Sequence, residues 1–173
     1  APKTDRWHGM AFVDLYNAGG LIEGPIDETS SMFFSARYSY IGQVLAKVAE
    51  DNEEFDLTVA PTFSDMFFDY HKKLNDKDEF SFIAVRSRDE LQFVLNETVN
   101  NNPLLRGNFY QRTEFFRLIP RWYRRVNDSQ SFDVSIGYGD NNVLFEVGDN
   151  YFELDSTTIS QRFEYKTRFS ETY

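Results

Sequence analysis

The residues best suited to chemistry are few and scattered. The 173-residue chain has no Cys and only two His, His8 and His71. Disulfides, thiolate metal sites and multi-histidine centres are therefore excluded. Asp65, Asp69 and His71 share one parity, which on an extended segment would put carboxylates and an imidazole on one face. Yet Asp65 and Asp69 would stand about 13 Å apart at ~3.3 Å per residue. That is too far for a working carboxylate pair, and no Ser nucleophile with a base is identifiable. The three read as charges along a strand face. Asp140-Asn141-Asn142 and Asp149-Asn150 are oxygen-rich enough for Ca²⁺, but their spacing fits no EF-hand loop and turn chemistry is the better reading. Arg121, Arg124 and Arg125 around Trp122 and Tyr123 would suit phosphates. At a net charge of -10 they read instead as anchors at an interface, and no nucleic-acid partner is expected. Asn96-Glu97-Thr98 matches a glycosylation acceptor, a pattern common by chance. Gly19-Gly20 reads as a hairpin turn, and there is no Gly-rich phosphate loop. No residue is assigned to catalysis, and no metal or cofactor is expected.

The elements that carry these residues are legible from their period. Aromatic residues make up 17% of the chain, yet hydrophobic residues reach only 41% and mean hydropathy is -0.53. So many rings in so polar a chain must be sorted by pattern. In residues 31–40, Met32, Phe34, Ala36, Tyr38 and Tyr40 alternate with Ser31, Phe33, Ser35, Arg37 and Ser39. A period of two means a strand with unlike faces. Residues 131–139 and 159–169 alternate in the same way. Weaker alternation marks residues 65–74, 80–88 and 113–125, and residues 10–16 and 21–26 read as a short pair about Asn17–Gly20. The count is about eight strands. One helical segment is expected, where Ile41, Val44, Leu45 and Val48 precede an acidic run from Glu50 to Glu54.

Connections come in two lengths. The turns at Asp27–Ser30, Asn75–Asp78 and Asn127–Gln130 are short and polar. Between them, residues 42–64, 89–112 and 139–157 read as long loops, which are uncommon in compact soluble domains. Short turns on one side and long loops on the other is the plan of an outer-membrane barrel, with strands apolar outward and polar inward. Arg37, Asp69, His71, Lys73, Arg117, Arg121, Asp133, Arg162, Glu164 and Lys166 all fall on the polar parity; Lys72 and Gln161 do not. No stretch is long and apolar enough for a membrane helix, and no signal segment opens the chain. A soluble lipocalin-like or sandwich domain would alternate too, with its apolar face turned inward.

Several segments in order resemble the start of the barrel in TonB-dependent outer-membrane receptors. They are Asp5-Arg6-Trp7-His8-Gly9 through Asp14-Leu15, Leu21-Ile22-Glu23-Gly24-Pro25-Ile26, and Ser35-Ala36-Arg37-Tyr38-Ser39-Tyr40-Ile41. Asp69-Tyr70-His71-Lys72-Lys73-Leu74, followed by a strand ending in Ser87-Arg88-Asp89, is similar to the next hairpin. Asn102-Pro103-Leu104-Leu105-Arg106-Gly107-Asn108-Phe109 is similar to a loop beyond it. Such receptors have about 22 strands and a plugged lumen, and neither the plug nor the TonB-engaging box is accommodated here. The resemblance implies an all-β antiparallel transmembrane barrel segment over residues 1–173, beginning just after the plug. It also implies a location in the outer membrane of a Gram-negative-type bacterium.

The function implied is uptake of a nutrient such as a metal chelate, cobamide or oligosaccharide. TonB would drive it through a plug absent from this chain, with outer-membrane lipid around the barrel. Ligand contacts would come from the long loops, at Arg106, Phe109, Tyr110 and Tyr151. Alternatively, Tyr173 is the terminal aromatic of a complete eight-stranded barrel that serves as an anchor or adhesin. The third alternative is a soluble barrel that carries an apolar ligand.

Overall fold

The computed structural model describes residues 2–44, 61–95 and 107–169. Eight strands form one antiparallel sheet in sequence order: β1 (His8–Val13), β2 (Asn17–Asp27), β3 (Ser30–Ser39), β4 (Thr62–Lys73), β5 (Asp78–Leu95), β6 (Gly107–Asn127), β7 (Gln130–Val147) and β8 (Asn150–Thr167). Each strand pairs with its sequence neighbours, and β1 and β8 do not pair with each other. The sheet is open rather than closed into the expected barrel. The lengths at its margins differ sharply, with six residues in β1 and 18 in β8.

Asx chemistry fixes the tight turns. Asp27 Oδ1 accepts the Thr29 N–H and hydroxyl, both at 2.8 Å. Asn75 Oδ1 accepts the Lys77 and Asp78 N–H groups at 2.8 and 2.9 Å, and Asn127 Oδ1 accepts Ser129 N–H at 2.9 Å. A short polar side chain that bonds two residues ahead closes the chain without a long loop. These three turns lie along one end of the sheet, called here the turn end.

At the opposite end three expectations are corrected. The first turn is not at Asn17–Gly20, which lies in β2. It is at residues 14–16, where Asp14 Oδ1 accepts the Tyr16 and Asn17 N–H groups at 2.7 and 2.8 Å. The long loop expected over residues 139–157 is absent. β7 and β8 run straight through it and meet at Gly148-Asp149, with Gly148 at φ 57°. The loop expected over residues 89–112 is strand up to Leu95 and again from Gly107, and residues 96–106 lie outside the described set. The expected helix is seen at residues 41–44, where Val44 N–H bonds Tyr40 O at 3.2 Å. Leu45, Val48 and the acidic run lie outside the described residues.

Register decides which residues share a face, because direct cross-strand partners point the same way. Face A carries Phe34, Phe68, Ala84, Leu118, Tyr138 and Ile159 in one row. Every charge expected on the polar parity, from Arg37 to Lys166, falls on the other face, B. Lys72 and Gln161 fall on A, opposite Phe80 and Ile136. Face B is not wholly polar, since Phe33 and Phe67 meet edge to face there at 5.7 Å.

A single sheet has no second layer to bury its rings. Among the described residues the one buried hydrophobic side chain is Val147, while Ile159 and Phe163 are 69% and 65% exposed. Seven inter-strand gaps at ~4.8 Å and four to six residue steps at ~3.3 Å give the apolar band on face A a footprint of roughly 450–650 Å². The largest apolar patch on a typical soluble monomer is about 300–600 Å².

Candidate functional site

The apolar band on face A ends abruptly. Away from the turn end its last members are Ala84 on β5, Phe116 on β6, Tyr138 on β7 and Ile159 on β8. The next positions on that face are Arg86, Glu114, Asp140 and Thr157. From there β5–β8 continue as a four-stranded extension whose face A is a polar network. Arg86 Nε donates to Glu114 Oε1 at 3.0 Å, and Arg88 Nη1 lies 3.8 Å from Glu114 Oε2. Arg88 Nε and the Tyr110 hydroxyl donate to Glu90 Oε1 at 3.0 and 2.6 Å, and the Thr62 hydroxyl reaches Glu90 Oε2 at 3.3 Å. Arg112 Nη2 donates to Asn142 Oδ1 at 2.9 Å. The Asn142 amide in turn donates to Glu153 at 2.9 Å and Asp155 at 2.7 Å.

Glu90 is the focus of that network. Burial pushes its pKa up, but hydrogen bonds from Tyr110, Arg88 and Thr62, together with the Arg88 charge, outweigh burial and hold it below the usual carboxylate range. The same contact acts in reverse on the donors. Burial and the Glu90 bond raise Tyr110, and the Glu90 bond raises Arg88.

On face B of the extension the polarity inverts. Phe109 and Phe145 stack edge to face at 5.0 Å, Phe145 pairs with Phe152, and Val143 pairs with Leu154. Phe145, Phe152 and Leu154 remain well exposed. Nearer the turn end, face B holds charges in pairs. Arg121 Nε donates to Asp133 Oδ1 at 2.8 Å, Arg162 pairs with Glu164, and Lys166 Nζ is 3.4 Å from Glu164. Away from the turn end, also on face B, Arg37 Nε and Ser87 Oγ both donate to Asp65, at 2.9 and 2.7 Å.

At the boundary between the two halves Arg117 lies flat across β7. It bonds Asp140 O at 3.0 Å and also Asn141 Oδ1, and a Cβ on Gly139 would come within 2.9 Å of its side chain. The missing side chain at Gly139 is what admits the guanidinium.

The residues expected to contact ligand do not converge. Phe109 and Tyr110 are on strand β6, not in a loop, and point to opposite faces. Tyr151 is on β8, two strands from Tyr110 across Glu146, and is 75% exposed. Arg106 and Asn96-Glu97-Thr98 lie outside the described residues, as does Tyr173. Asp140-Asn141-Asn142 is mid-strand rather than a turn, so Asn141 points away from its two neighbours. Among the described residues no group of three or more His, Cys, Asp or Glu could hold a metal. His71 Nε2 lies 3.1 Å from Asp69 Oδ1, at ion-pair distance but without hydrogen-bond alignment. Arg121, Arg124 and Arg125 diverge, Arg121 to Asp133, Arg124 to within 6.0 Å of the Trp122 ring, and Arg125 to Asp76 O.

What sequence reading missed is the glutamate-centred network. Its signal was the spacing of Arg86, Arg88, Glu90, Arg112 and Glu114, the alternate residues of two neighbouring strands. No protein-family model, curated protein or solved structure matches the chain. The class that fold and site define is an all-β protein built on one open antiparallel sheet. That sheet has a ring-covered face near its turns and a charge-laced extension beyond them.

Proposed function

We propose that the sheet is part of the wall of an outer-membrane β-barrel, with face A against acyl chains and face B turned to the enclosed side. One observation carries this reading. The apolar band does not run parallel to the hydrogen bonds. Its far limit moves from Tyr38 on β3 to Tyr138 on β7, and its near limit from Tyr70 on β4 to Tyr165 on β8. Each limit drifts by about four residues, or ~13 Å, over four strand spacings of ~4.8 Å, or ~19 Å. The corresponding slope is about 35°, the strand tilt at which membrane barrels lie, roughly 35–45°. A level bilayer crossing tilted strands produces this slant. Trp122, Tyr165 and Tyr138 stand toward the limits of the band, and Trp7 lies over Gly24, the partner of Met32, where an amphipathic ring has one wet end.

In this reading the protein is a transporter and not an enzyme. The order of motifs from Asp5 to Ile41 favours a receptor of the TonB-dependent kind, importing a nutrient such as a metal chelate, cobamide or oligosaccharide. The paired charges on face B suit contact with a plug or with water, and the extension of β5–β8 stands outside the bilayer. The test is to express the protein in a Gram-negative host. Single cysteines are placed at Val134 on face A and Ser135 on face B, which is clean because the chain has no Cys of its own. A lipid-soluble thiol reagent is expected to label Val134→Cys and a water-soluble one Ser135→Cys, both in the outer-membrane fraction. Equal labelling by the two reagents, or recovery in the soluble fraction, would sink the proposal.

A further inference from the structure

Among the described residues, one side chain inside the apolar band of face A is neither apolar nor aromatic. It is Gln161, midway along the band's stretch of β8 between Ile159 and Phe163, and it is exposed. The row to which it belongs is irregular as well. Pairing of β6 with β7 stops at Leu118↔Tyr138 and resumes at Arg121↔Ser135, because Pro120 has no N–H to give. The Ile136 carbonyl opposite Pro120 is left without its cross-strand donor, and Ile136 is the partner of Gln161 on β7. A carboxamide and an open carbonyl therefore stand one strand apart near the centre of the band. The side chains about them, Pro120, Val134, Ile136 and Ile159, are aliphatic in a band otherwise made mostly of rings.

We infer that a second copy of the chain docks at this spot within the membrane, the two Gln161 amides pairing across a twofold axis along the membrane normal. The inference rests on the barrel-wall reading, since only in lipid does the amide lack water. There each unpaired polar group is costly, and an acyl chain answers neither the amide nor the carbonyl. A carboxamide is its own complement, with two N–H donors and an accepting oxygen. In a reciprocal pair each amide gives one N–H to the other's oxygen. Each keeps a second N–H for the Ile136 carbonyl beside it. Both irregularities of the row are then met by one contact, and a twofold axis is the arrangement in which like meets like.

Tilt keeps the rest of the two copies from clashing. Strands inclined by ~35–45° in each copy cross at about 70–90°, so contact is confined to the neighbourhood of Gln161. Glu153 and Asp155, farther along β8 on the same face, diverge from their counterparts instead of setting like charge against like.

The test is cross-linking in the outer membranes of a Gram-negative host that expresses the full protein. Ile159→Cys places a reporter beside Gln161, and Met32→Cys places a control in the same row on β3; the chain has no Cys of its own. A flexible bis-maleimide is expected to convert the Ile159→Cys protein, and not the Met32→Cys protein, into a product of twice the mass. Gln161→Leu keeps the bulk of the side chain and suits lipid, so recovery in the outer membrane should be unchanged. It should nonetheless weaken association about fivefold or more, as the loss of two hydrogen bonds of ordinary net strength requires, read as the expression level needed for half-maximal cross-linking. Equal cross-linking at both reporters, none at either, a yield indifferent to Gln161→Leu, or a product whose mass is not twice that of the protein would each overturn the dimer. Those results are read on protein in the outer-membrane fraction, so the barrel-wall reading survives them. Recovery in the soluble fraction would instead remove that reading, and the dimer with it.

Discussion

The turn-end half of the sheet and the extension of β5–β8 use the same strands to opposite purpose. Near the turns, rings occupy face A and ion pairs face B. Beyond Tyr138 the ion pairs occupy face A and the rings face B. A strand has only two faces, so the exchange requires a change of phase in the alternation, and on β7 it falls at Gly137–Asn141. There two glycines and the flat-lying Arg117 fill face B. On the barrel-wall reading proposed above, one sheet meets two solvents, acyl chains where face A is apolar and water where it is charged.

The sharpest way to break this comparison is to put a charge on each face of the turn-end half. Val134, between Trp122 and Phe163 on face A, sits near the middle of the band, and Ser135 is next to it on face B. In lipid vesicles, Val134→Arg is expected to lower unfolding stability by about 2–4 kcal/mol, with Ser135→Arg milder. Equal losses in denaturant titrations would mean that the faces are not in different media.

The second test strikes the boundary. A side chain at Gly139 would displace Arg117 from Asn141 and the Asp140 carbonyl. Gly139→Val is therefore expected to cost about 1–3 kcal/mol, the usual range for overpacking. Added glycine-to-alanine changes at open positions such as Gly9, whose Cβ would meet its nearest atom at 3.4 Å, should cost less. If Gly139→Val is silent in the same titration, Arg117 does not organise the crossover.

How much of this was legible follows from the physics of alternation. Where apolar and polar residues strictly alternate, as from Phe132 to Tyr138, the strand and the sorting of residues onto two faces were both readable. So were the Asx-closed turns at Asp27, Asn75 and Asn127. Residues 139–157 were misread as a loop because Asp140, Asn141 and Asn142 interrupt the pattern where its phase changes. The signal that could have found the hairpin was Gly148-Asp149 set between Val143, Phe145, Val147 and Phe152, Leu154, a two-residue turn flanked by alternating apolar residues. Gly19-Gly20 misled for a different reason. Gly19 is a strand residue whose missing Cβ makes room for the Phe12 ring, 2.8 Å from where that atom would sit. The Glu90 network was signalled only by alternating charges on two strands, and which of them meet is set by register.

A smaller effect sharpens the other half of the comparison. Tyr110→Phe removes one donor from Glu90 and keeps the ring. It is expected to cost about 0.5–1.5 kcal/mol and to move the Glu90 pKa upward. A carboxylate held low in the fold stabilises above its unfolded pKa, and that contribution is lost as pH falls through the folded value. The variant should therefore lose the Glu90 contribution at a higher pH than the parent, visible as an acid transition displaced upward. An unshifted transition would remove Tyr110 from the network.

The smallest expected effect lies at the turns, the one feature that both halves depend on for register. Asp27 is held at about 2 by the Thr29 N–H first, then by the Thr29 and Ser30 hydroxyls. Its folded pKa is depressed, so the turn contribution is complete above the ordinary carboxylate value of 3.8 and fades as pH falls toward 2. The Thr29 amide resonance should titrate with a midpoint near 2 and hold constant from pH 4 upward. In Asp27→Asn that titration should vanish while the amide keeps its acceptor, because an Asn oxygen closes the same turn without ionising, as Asn127 does for Ser129. A midpoint near 3.8 in the parent would mean that Asp27 does not hold this turn. In that case the register of β2 on β3, and with it the facing of every strand beyond, would have to be set by side-chain packing alone.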